Sequence, residues 1–295
     1  MRSHESMKRP LAGWLRVVIV SSAFAGILIW EIIRPLRREV EGKAYRLPRN
    51  LAVAGLGALT VHLAEAPVID PLARHVHQRR IGLLPRLGLP AWLETCAAVL
   101  LLDYTLYLWH VLTHRVPSLW RFHVVHHADL DLDASTAVRF HFGELAVSVP
   151  WRAAQVAGIG VSPRALSIWQ TCLLVAIMFH HSNTRLPVGL ERWVSRILVT
   201  PRMHGIHHSI VADESDSNWS SGLAIWDWLH GTVRLNVPQD AIEIGVAAYR
   251  SPDDVTLPAI VAMPFVHQPP ATHELPGGQL PERDSLPGPI SRLEP

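Results

Sequence analysis

This chain has few cysteines and a small net charge. Two cysteines, Cys96 and Cys172, occur among 295 residues, and each lies in an apolar stretch. We therefore expect two buried thiols rather than a disulfide or a redox pair. The formal net charge is only +2. Since there is also no concentrated basic face and no nucleic-acid-binding motif, nucleic acid is not an expected partner.

Charged residues are few as well, at 18% of the chain, whereas hydrophobic residues make up 49%. The mean hydropathy of +0.18 favours an integral membrane protein. Long apolar runs predict membrane helices at residues 17–33, 51–69 and 91–112. A cleavable signal peptide is the alternative for 17–33, because residues 23–25 resemble a cleavage site. The apolar run continues past that site, which favours a membrane helix.

Two weaker apolar runs follow at residues 145–161 and 165–179. The first is interrupted by Pro150, Arg152 and Gln155, and the second is close to the lower length limit for a membrane helix. They predict a helical pair that crosses the membrane wholly or partly. The expected fold is therefore an all-α integral membrane protein with about four to five transmembrane or re-entrant helices.

The spacing of these runs predicts the topology. The polar blocks 113–144 and 182–250 share one membrane face if the weak pair enters and returns, and the basic segment 34–49 shares it too. The positive-inside rule makes that face cytoplasmic. Segment 70–90 carries four arginines but falls on the opposite side. An interfacial position for that segment, with re-entrant neighbours, is the alternative.

Histidine is the abundant polar residue, with 18 copies, and eleven of them lie between His110 and His208. Two triplets have i, i+3, i+4 spacing, which places three imidazoles on one face of a helix. The clustered histidines are His110, His114, His123, His126, His127, His141, His180, His181, His204, His207 and His208. Isolated histidines are expected to pack, as for His62, or to face solvent in loops and tails, as for His4, His267 and His273.

Burying this clustered set without a metal would leave many ring nitrogens unpaired, or charges that repel one another. Ten or so imidazoles exceed the ligand positions of one ion, so two ions are predicted. Imidazole suits zinc, copper, iron and nickel alike. Neither the HExxH motif of zinc proteases nor the ExxH motif of carboxylate-bridged di-iron bundles is present.

Acidic and aromatic residues near the histidines are candidates for supporting roles. Asp103, Tyr107, His110 and His114 fall on one helical stripe. A carboxylate within an apolar span needs a partner, so Asp103 is predicted to orient a ligand histidine. The residues Asp129, Asp133, Arg139 and Glu144 cluster around the first triplet, where they could form structural ion pairs or orient imidazoles.

Five motifs in order resemble one family. They lie in "LLDYTLYLWHVLTHRVPSLWRFHVVHHADLDLDASTAVRFHFGE", "FHHSNTRLP", "TPRMHGIHHS" and "LAIWDWLHGT". Over about residues 90–265 the chain is similar to the fatty acid hydroxylase and sterol desaturase superfamily of membrane-bound non-haem di-iron oxidases. The resemblance implies iron ligation by His110, His114, His123, His126, His127, His181, His204, His207 and His208. His141 and His180 are further ligand candidates, and Asp103, Tyr107, Arg139, Glu144 and Asn218 are candidate supporting residues.

The resemblance also implies a fold and an activity. Membrane helices would be capped by a cytosolic helical dome holding two irons, and O₂ would be used to hydroxylate or desaturate a C–H bond of a lipid. Electrons would come from a separate reductase or redox carrier, because no haem, flavin or iron–sulfur motif is present. The implied domains are N-terminal membrane helices and basic loops at 1–90, a catalytic domain at 91–265, and a disordered proline-rich tail at 266–295.

Several positions depart from the family pattern without removing a ligand. Trp219, Trp228, His230 and Phe142 stand where other residues are common, which predicts an altered substrate channel. Three other functions remain alternatives at this point: a divalent-metal transporter, a non-catalytic metal-binding membrane protein and a zinc hydrolase.

Overall fold

The computed structural model describes residues 10–266, 274–275, 278–283 and 292–293. These residues form helices without any β-strand, and the extended segments among them make only isolated β-bridges. The all-α prediction is therefore confirmed. His4, His267 and His273, and most of the tail predicted to be disordered, lie outside the described residues.

We number the described α-helices α1 to α13 in chain order. Their bounds are α1 Gly13–Ile33, α2 Lys43–Thr60, α3 Ala66–Arg79, α4 Leu83–Arg86, α5 Ala91–Arg115, α6 Pro117–His127, α7 Phe142–Ile159, α8 Pro163–His181, α9 Val188–Val194, α10 Pro201–His207, α11 Ala212–Ser215, α12 Ile225–His230 and α13 Leu257–Ala262. A π-helical segment, Val61–Glu65, joins α2 to α3, and 3₁₀ turns occur at Thr136–Val138 and Pro252–Val255.

Three helical stretches are long and apolar enough to cross a membrane: Gly13–Ile33, Lys43–Arg86 and Ala91–Arg115. They contain the three strongly predicted spans. Helices α7 and α8, with 18 and 19 residues, form the weaker pair. At ~1.5 Å per residue each is roughly 27–29 Å long, close to the ~30 Å thickness of the hydrocarbon core.

At one end of the bundle, the turn after α7 packs against the connection between α3 and α5. Gly160 has a φ of +86° and lies so close to Pro85 that an added Cβ would be 2.4 Å from its Cδ. A Cβ on Gly82 would be 2.4 Å from the Cα of Gly160. The adjoining core includes Val76 and Ile159. Residues 82–85 thus lie at the end of α7 away from the histidine-rich blocks, and the membrane side of segment 70–90 stays a prediction.

The polar segments meet at the other end, which we call the polar end (residues 34–50, 116–141 and 182–266). The backbone N–H of Arg37 donates to Asn183 Oδ1 over 2.8 Å, and Arg46 pairs with Asp133 over 2.9 Å. These contacts confirm that segments 34–49, 113–144 and 182–250 share one end of the molecule. The compartment that this end faces stays a prediction.

The expectation of buried thiols is wrong. Cys96 and Cys172 are both exposed and unpaired on the outer surface of α5 and α8. His62, expected to pack, is exposed too. Apolar neighbours in a membrane helix do not imply burial, because the lipid itself accepts apolar side chains.

Buried charges hold the polar end together. Arg46 is fully buried and donates to Asp129 and Asp133 over 2.9–3.2 Å. Asp129 also accepts from Asn50 Nδ2 over 2.9 Å and pairs with Arg139 Nη1 over 2.9 Å. Burial alone would raise the pKa of Asp129, but the guanidinium groups of Arg46 and Arg139 hold it below its usual range. This network fixes the start of α2 against the segment that follows α6.

Replacing Asp129 with asparagine should lower the free energy of unfolding by about 3–5 kcal/mol, because two buried guanidinium groups lose their shared counter-charge. The measurement is a denaturation profile of the purified protein in detergent. Asp240→Asn is the matched control, since Asp240 is exposed at the same end. Equal profiles for the two variants would contradict a stabilising role for this network.

Candidate metal centre

Ten of the eleven clustered histidines converge where the C-terminal ends of four helices meet. His110 and His114 lie in the last turns of α5, and the first triplet ends α6. His180 and His181 end α8, and the second triplet occupies α10 and the residue after it. The carbonyl end of a helix carries partial negative charge, so four such ends favour a cation between them.

The ring nitrogens fall into two sets of four, each with its donor atoms within 4.8 Å of one another. The first histidine group is His110, His114, His127 and His207. The second histidine group is His126, His181, His204 and His208. Each sequence triplet is divided between the groups, because adjacent residues point to different sides of a helix. The groups touch where the rings of His127 and His208 stack with centroids 4.2 Å apart.

Backbone carbonyls fix the protonation of two rings in the first group. His110 Nδ1 lies 2.6 Å from the carbonyl oxygen of Trp219, and His207 Nδ1 lies 2.8 Å from that of Ser217. A carbonyl can only accept, so both Nδ1 atoms carry the proton of the neutral ring. The two Nε2 lone pairs then face each other at 3.1 Å. A shared cation is what removes this repulsion.

The second group repeats this arrangement. His181 Nδ1 donates to the carbonyl of Ile177 over 2.7 Å, which leaves a lone pair on its Nε2. That atom lies 3.0 Å from His126 Nε2 and 2.9 Å from His204 Nε2, and His208 Nε2 lies 3.1 Å from His204 Nε2. Metal–imidazole bonds of ~2.1 Å place neighbouring ligand nitrogens at right angles ~3.0 Å apart. The donor sets therefore fit one metal ion each.

The imidazoles outside the membrane helices are held neutral. Burial lowers the pKa of His207 to about 3. Burial, followed by the proximity of other imidazoles, also places the pKa values of His126, His127, His204 and His208 well below the usual range. Neutral imidazole is the form that binds metals.

Two further histidines border these groups. His123 donates from Nδ1 to Glu144 Oε1 over 2.8 Å, and its ring centroid lies 5.2 Å from that of His110 and 4.9 Å from that of His114. Its Nε2 is buried without a hydrogen-bond partner. Both ring nitrogens of His180 are likewise buried and unpaired, and its ring lies 4.0 Å from that of His204. Both residues thus keep free donor atoms beside the groups.

His141 lies outside both groups. Its position does not support the prediction that it is a metal ligand. Its Nδ1 accepts from the backbone N–H of Gly143 over 2.9 Å and caps α7. Its Nε2 lies 3.2 Å from the carbonyl of Val261. Both nitrogens therefore have protein partners, and the ring acts in helix capping.

Of the predicted supporting residues, only some contact an imidazole. Glu144 orients His123 directly, whereas Arg139 pairs with Asp129 and makes no hydrogen bond to an imidazole among the described residues. Asp103 differs from expectation, because its Oδ2 accepts from the backbone N–H of Leu223 and from Trp226 Nε1, over 3.0 and 2.7 Å.

Two more predicted residues secure the loop after α11. Tyr107 Oη lies 3.2 Å from Thr232 Oγ1. Asn218, with a φ of +53°, donates from Nδ2 to the carbonyls of Met203 and Arg234 over 2.9 and 2.8 Å. This loop supplies the carbonyls that orient His110 and His207, so both residues support the metal groups indirectly.

Sequence reasoning missed Asp227. Its carboxylate accepts from the backbone N–H groups of Trp219 and Ser220 over 2.8 and 3.0 Å, and from Thr232 Oγ1 over 2.6 Å. It thereby holds the Trp219 carbonyl against His110. An acid within the otherwise apolar segment 223–229 was the available signal.

A cavity of about 450 Å³ leads from the histidines into the membrane bundle. Both groups contribute to its wall, through His110 of the first and His181 of the second. Leu106, Leu173 and Ile177 form part of its apolar lining. An acyl chain inside the bundle could therefore reach the candidate metal centre.

Comparison with known proteins gives a consistent family. Residues 95–232 match the family model described as fatty acid hydroxylase. The chain is 29% identical over 158 residues to an ornithine lipid hydroxylase of Rhizobium tropici, a match covering 53% of this chain and 46% of that protein. It is 30% identical over 143 residues to alkylglycerol monooxygenase of Homo sapiens, covering 46% and 29% of the two chains.

A third relative is cholesterol 25-hydroxylase of Mus musculus, 27% identical over 139 residues, covering 46% of this chain and 45% of that protein. The chain thus spans less than half the length of these relatives. No solved structure matches. Residues 95–232, which carry every histidine of both groups, are thus similar to the fatty acid hydroxylase family.

Proposed function

We propose that the chain is a membrane-bound lipid hydroxylase that uses O₂ and two iron ions, one in each histidine group. The observation that carries the proposal is the pair of four-imidazole groups at the end of a cavity inside a membrane bundle. The three relatives are named as hydroxylases or a monooxygenase of lipids and a sterol. These names favour hydroxylation over desaturation, and an oxidoreductase over transport, hydrolysis or metal binding alone.

The chain's own groups prepare the site in three ways. Carbonyls and Glu144 aim the imidazoles, burial keeps them neutral, and the surrounding polar end excludes water. Bound iron would supply the activation of O₂ needed to oxidise an unactivated C–H bond. The two four-histidine groups contain no carboxylate, so the ligands do not neutralise the charge of the metal.

The proposal also covers the orientation of the protein in the membrane, the source of electrons and the entry of the lipid. The polar end would face the cytoplasm, since the basic segment 34–49 lies there. Electrons would come from a separate reductase or redox carrier that docks at this end. The lipid would enter the cavity from the membrane, with its C–H bond beside the two groups.

Each histidine group should bind its own iron ion, so a substitution in one group should remove only the iron of that group. Protein purified from iron-replete cells should hold about two irons per chain. His207→Ala removes a donor of the first group and His181→Ala one of the second, so each variant should lose about one iron, as measured by elemental analysis. His62→Ala, an exposed histidine, should keep both. Stoichiometric zinc that iron cannot displace, or no metal in the wild type, would overturn the oxidase proposal.

Activity should appear as one oxygen atom added to a membrane lipid. Cells or vesicles containing the protein, a reductase and ¹⁸O₂ should yield a lipid carrying one ¹⁸O, as detected by mass spectrometry. His181→Ala should abolish the product and His62→Ala should not. A lipid that lost two hydrogens without gaining ¹⁸O would indicate desaturation and contradict the hydroxylase assignment.

Glu144→Gln should weaken metal binding by about 10–100-fold, because the amide holds His123 less firmly than the carboxylate does. Competition with a chelator measures the affinity. Glu94→Gln, at the opposite end of α5 from the histidines, is the control and should match wild type. Unchanged affinity in Glu144→Gln would show that His123 does not contribute to the site.

A further inference from the structure

The cavity that begins at the histidines ends in polar groups. Its apolar middle gives way to a set of charged or amide side chains, which are Arg16, Glu65, Asp70, Arg152 and Gln170. Glu65 is only 7% exposed. The guanidinium carbon of Arg152 lies 4.7 Å above the centroid of the Trp169 ring, which also lines the cavity. This end is therefore unsuited to the tip of an acyl chain.

The rise of the helices gives the distance between the histidines and these charged groups at the far end of the cavity. Glu144, Ser148 and Arg152 line the cavity from one face of α7, at intervals of four residues. At ~1.5 Å per residue, Arg152 is roughly 12 Å along the helix from Glu144. On α8, Gln170 is roughly 16 Å from His181 by the same rise. A lipid with its head group here would extend its chain toward the histidines.

Among the described residues, three of these five side chains, Glu65, Asp70 and Arg152, make no hydrogen bond; Asp70 is exposed, whereas Glu65 is buried and Arg152 is partly buried. Arg152 makes none to the described residues, and its Nε is buried without a partner. Glu65 makes none either, and the two side chains do not form a direct ion pair, although they lie close enough to interact electrostatically. In contrast, Arg16 donates to Gln170 Oε1 over 3.2 Å.

Unpaired charges within a membrane bundle are costly and usually serve a function. The backbone here adds a second indication, because Glu65 ends the π-helical segment Val61–Glu65. Such segments cost stability and are frequent at functional sites. The segment places both Val61 and Glu65 on the cavity wall.

We propose that Arg152 and Glu65 bind the head group of a zwitterionic lipid, with its anionic oxygens on Arg152 and its ammonium group on Glu65. That the bound lipid is also the substrate rests on the proposed function. Opposite charges on the two walls fit a head group that carries both signs, such as an amino-acid lipid. The site sets the length of chain between the head group and the oxidised carbon.

Direct binding tests the proposal without turnover. The probe is N-oleoyl-ornithine, and its uncharged counterpart is the methyl ester with an acetylated side-chain amine. Wild-type protein in neutral detergent, studied by native mass spectrometry, should bind the zwitterion about tenfold more tightly or better, as charge-assisted hydrogen bonds allow. Arg152→Gln and Glu65→Gln should each remove most of this preference.

Two controls separate recognition from folding. Arg74→Gln and Glu94→Gln make the same chemical changes outside the cavity lining and should keep the preference. The metal content of Arg152→Gln and Glu65→Gln should equal that of wild type, because neither residue belongs to a histidine group and Arg152 lies roughly 12 Å along α7 from Glu144.

The outcomes for the two proposals are distinguishable. Equal binding of both probes by wild type, or an unchanged preference in Arg152→Gln and Glu65→Gln, overturns the head-group site even where ¹⁸O enters a lipid. A preference that these two variants lose supports the site even where no lipid is oxidised, in which case the hydroxylase proposal alone fails.

Discussion

The repulsion between facing imidazole lone pairs is the constraint on which the rest of this structure depends. His110 and His207 each commit Nδ1 to a carbonyl, so their Nε2 atoms oppose each other at 3.1 Å. His181 is in the same position relative to His126 and His204. A cation between the rings would remove this repulsion. The protein must therefore hold the rings in place against their own repulsion.

That rigidity comes from successive layers of hydrogen bonds. Asp227 holds the backbone at Trp219, whose carbonyl orients His110. Asp103 anchors the same loop from within α5 through Leu223. Farther out, the buried network around Asp129 ties α2 to the segment after α6. Each layer consists of buried polar groups that hydrogen-bond to one another or to the backbone.

The membrane bundle contributes a route as well as a support. Its cavity is apolar in the middle, bounded by imidazoles at one end and by charged groups at the other. In the proposal, the acyl chain of the lipid lies in the middle and its head group at the far end. The relatives act, by their names, on lipids with very different polar parts. The proposed hydroxylation needs only a C–H bond at the histidines, so the far end is where the proposal places the recognition of the polar part.

The sequence by itself determined the helical membrane class, the three strong spans, the resemblance to a family and the set of clustered histidines. Local periodicity is sufficient for these, since it shows which side chains share a face of their own helix. Only the tertiary structure decided how the faces meet. It divided each histidine triplet between two groups, directed Asp103 to a backbone loop, and used His141 as a helix cap. It also exposed both cysteines and joined Glu65 and Arg152 in one cavity. These outcomes depend on contacts between residues far apart in the chain, and on lipid accepting the apolar surface that water would have buried.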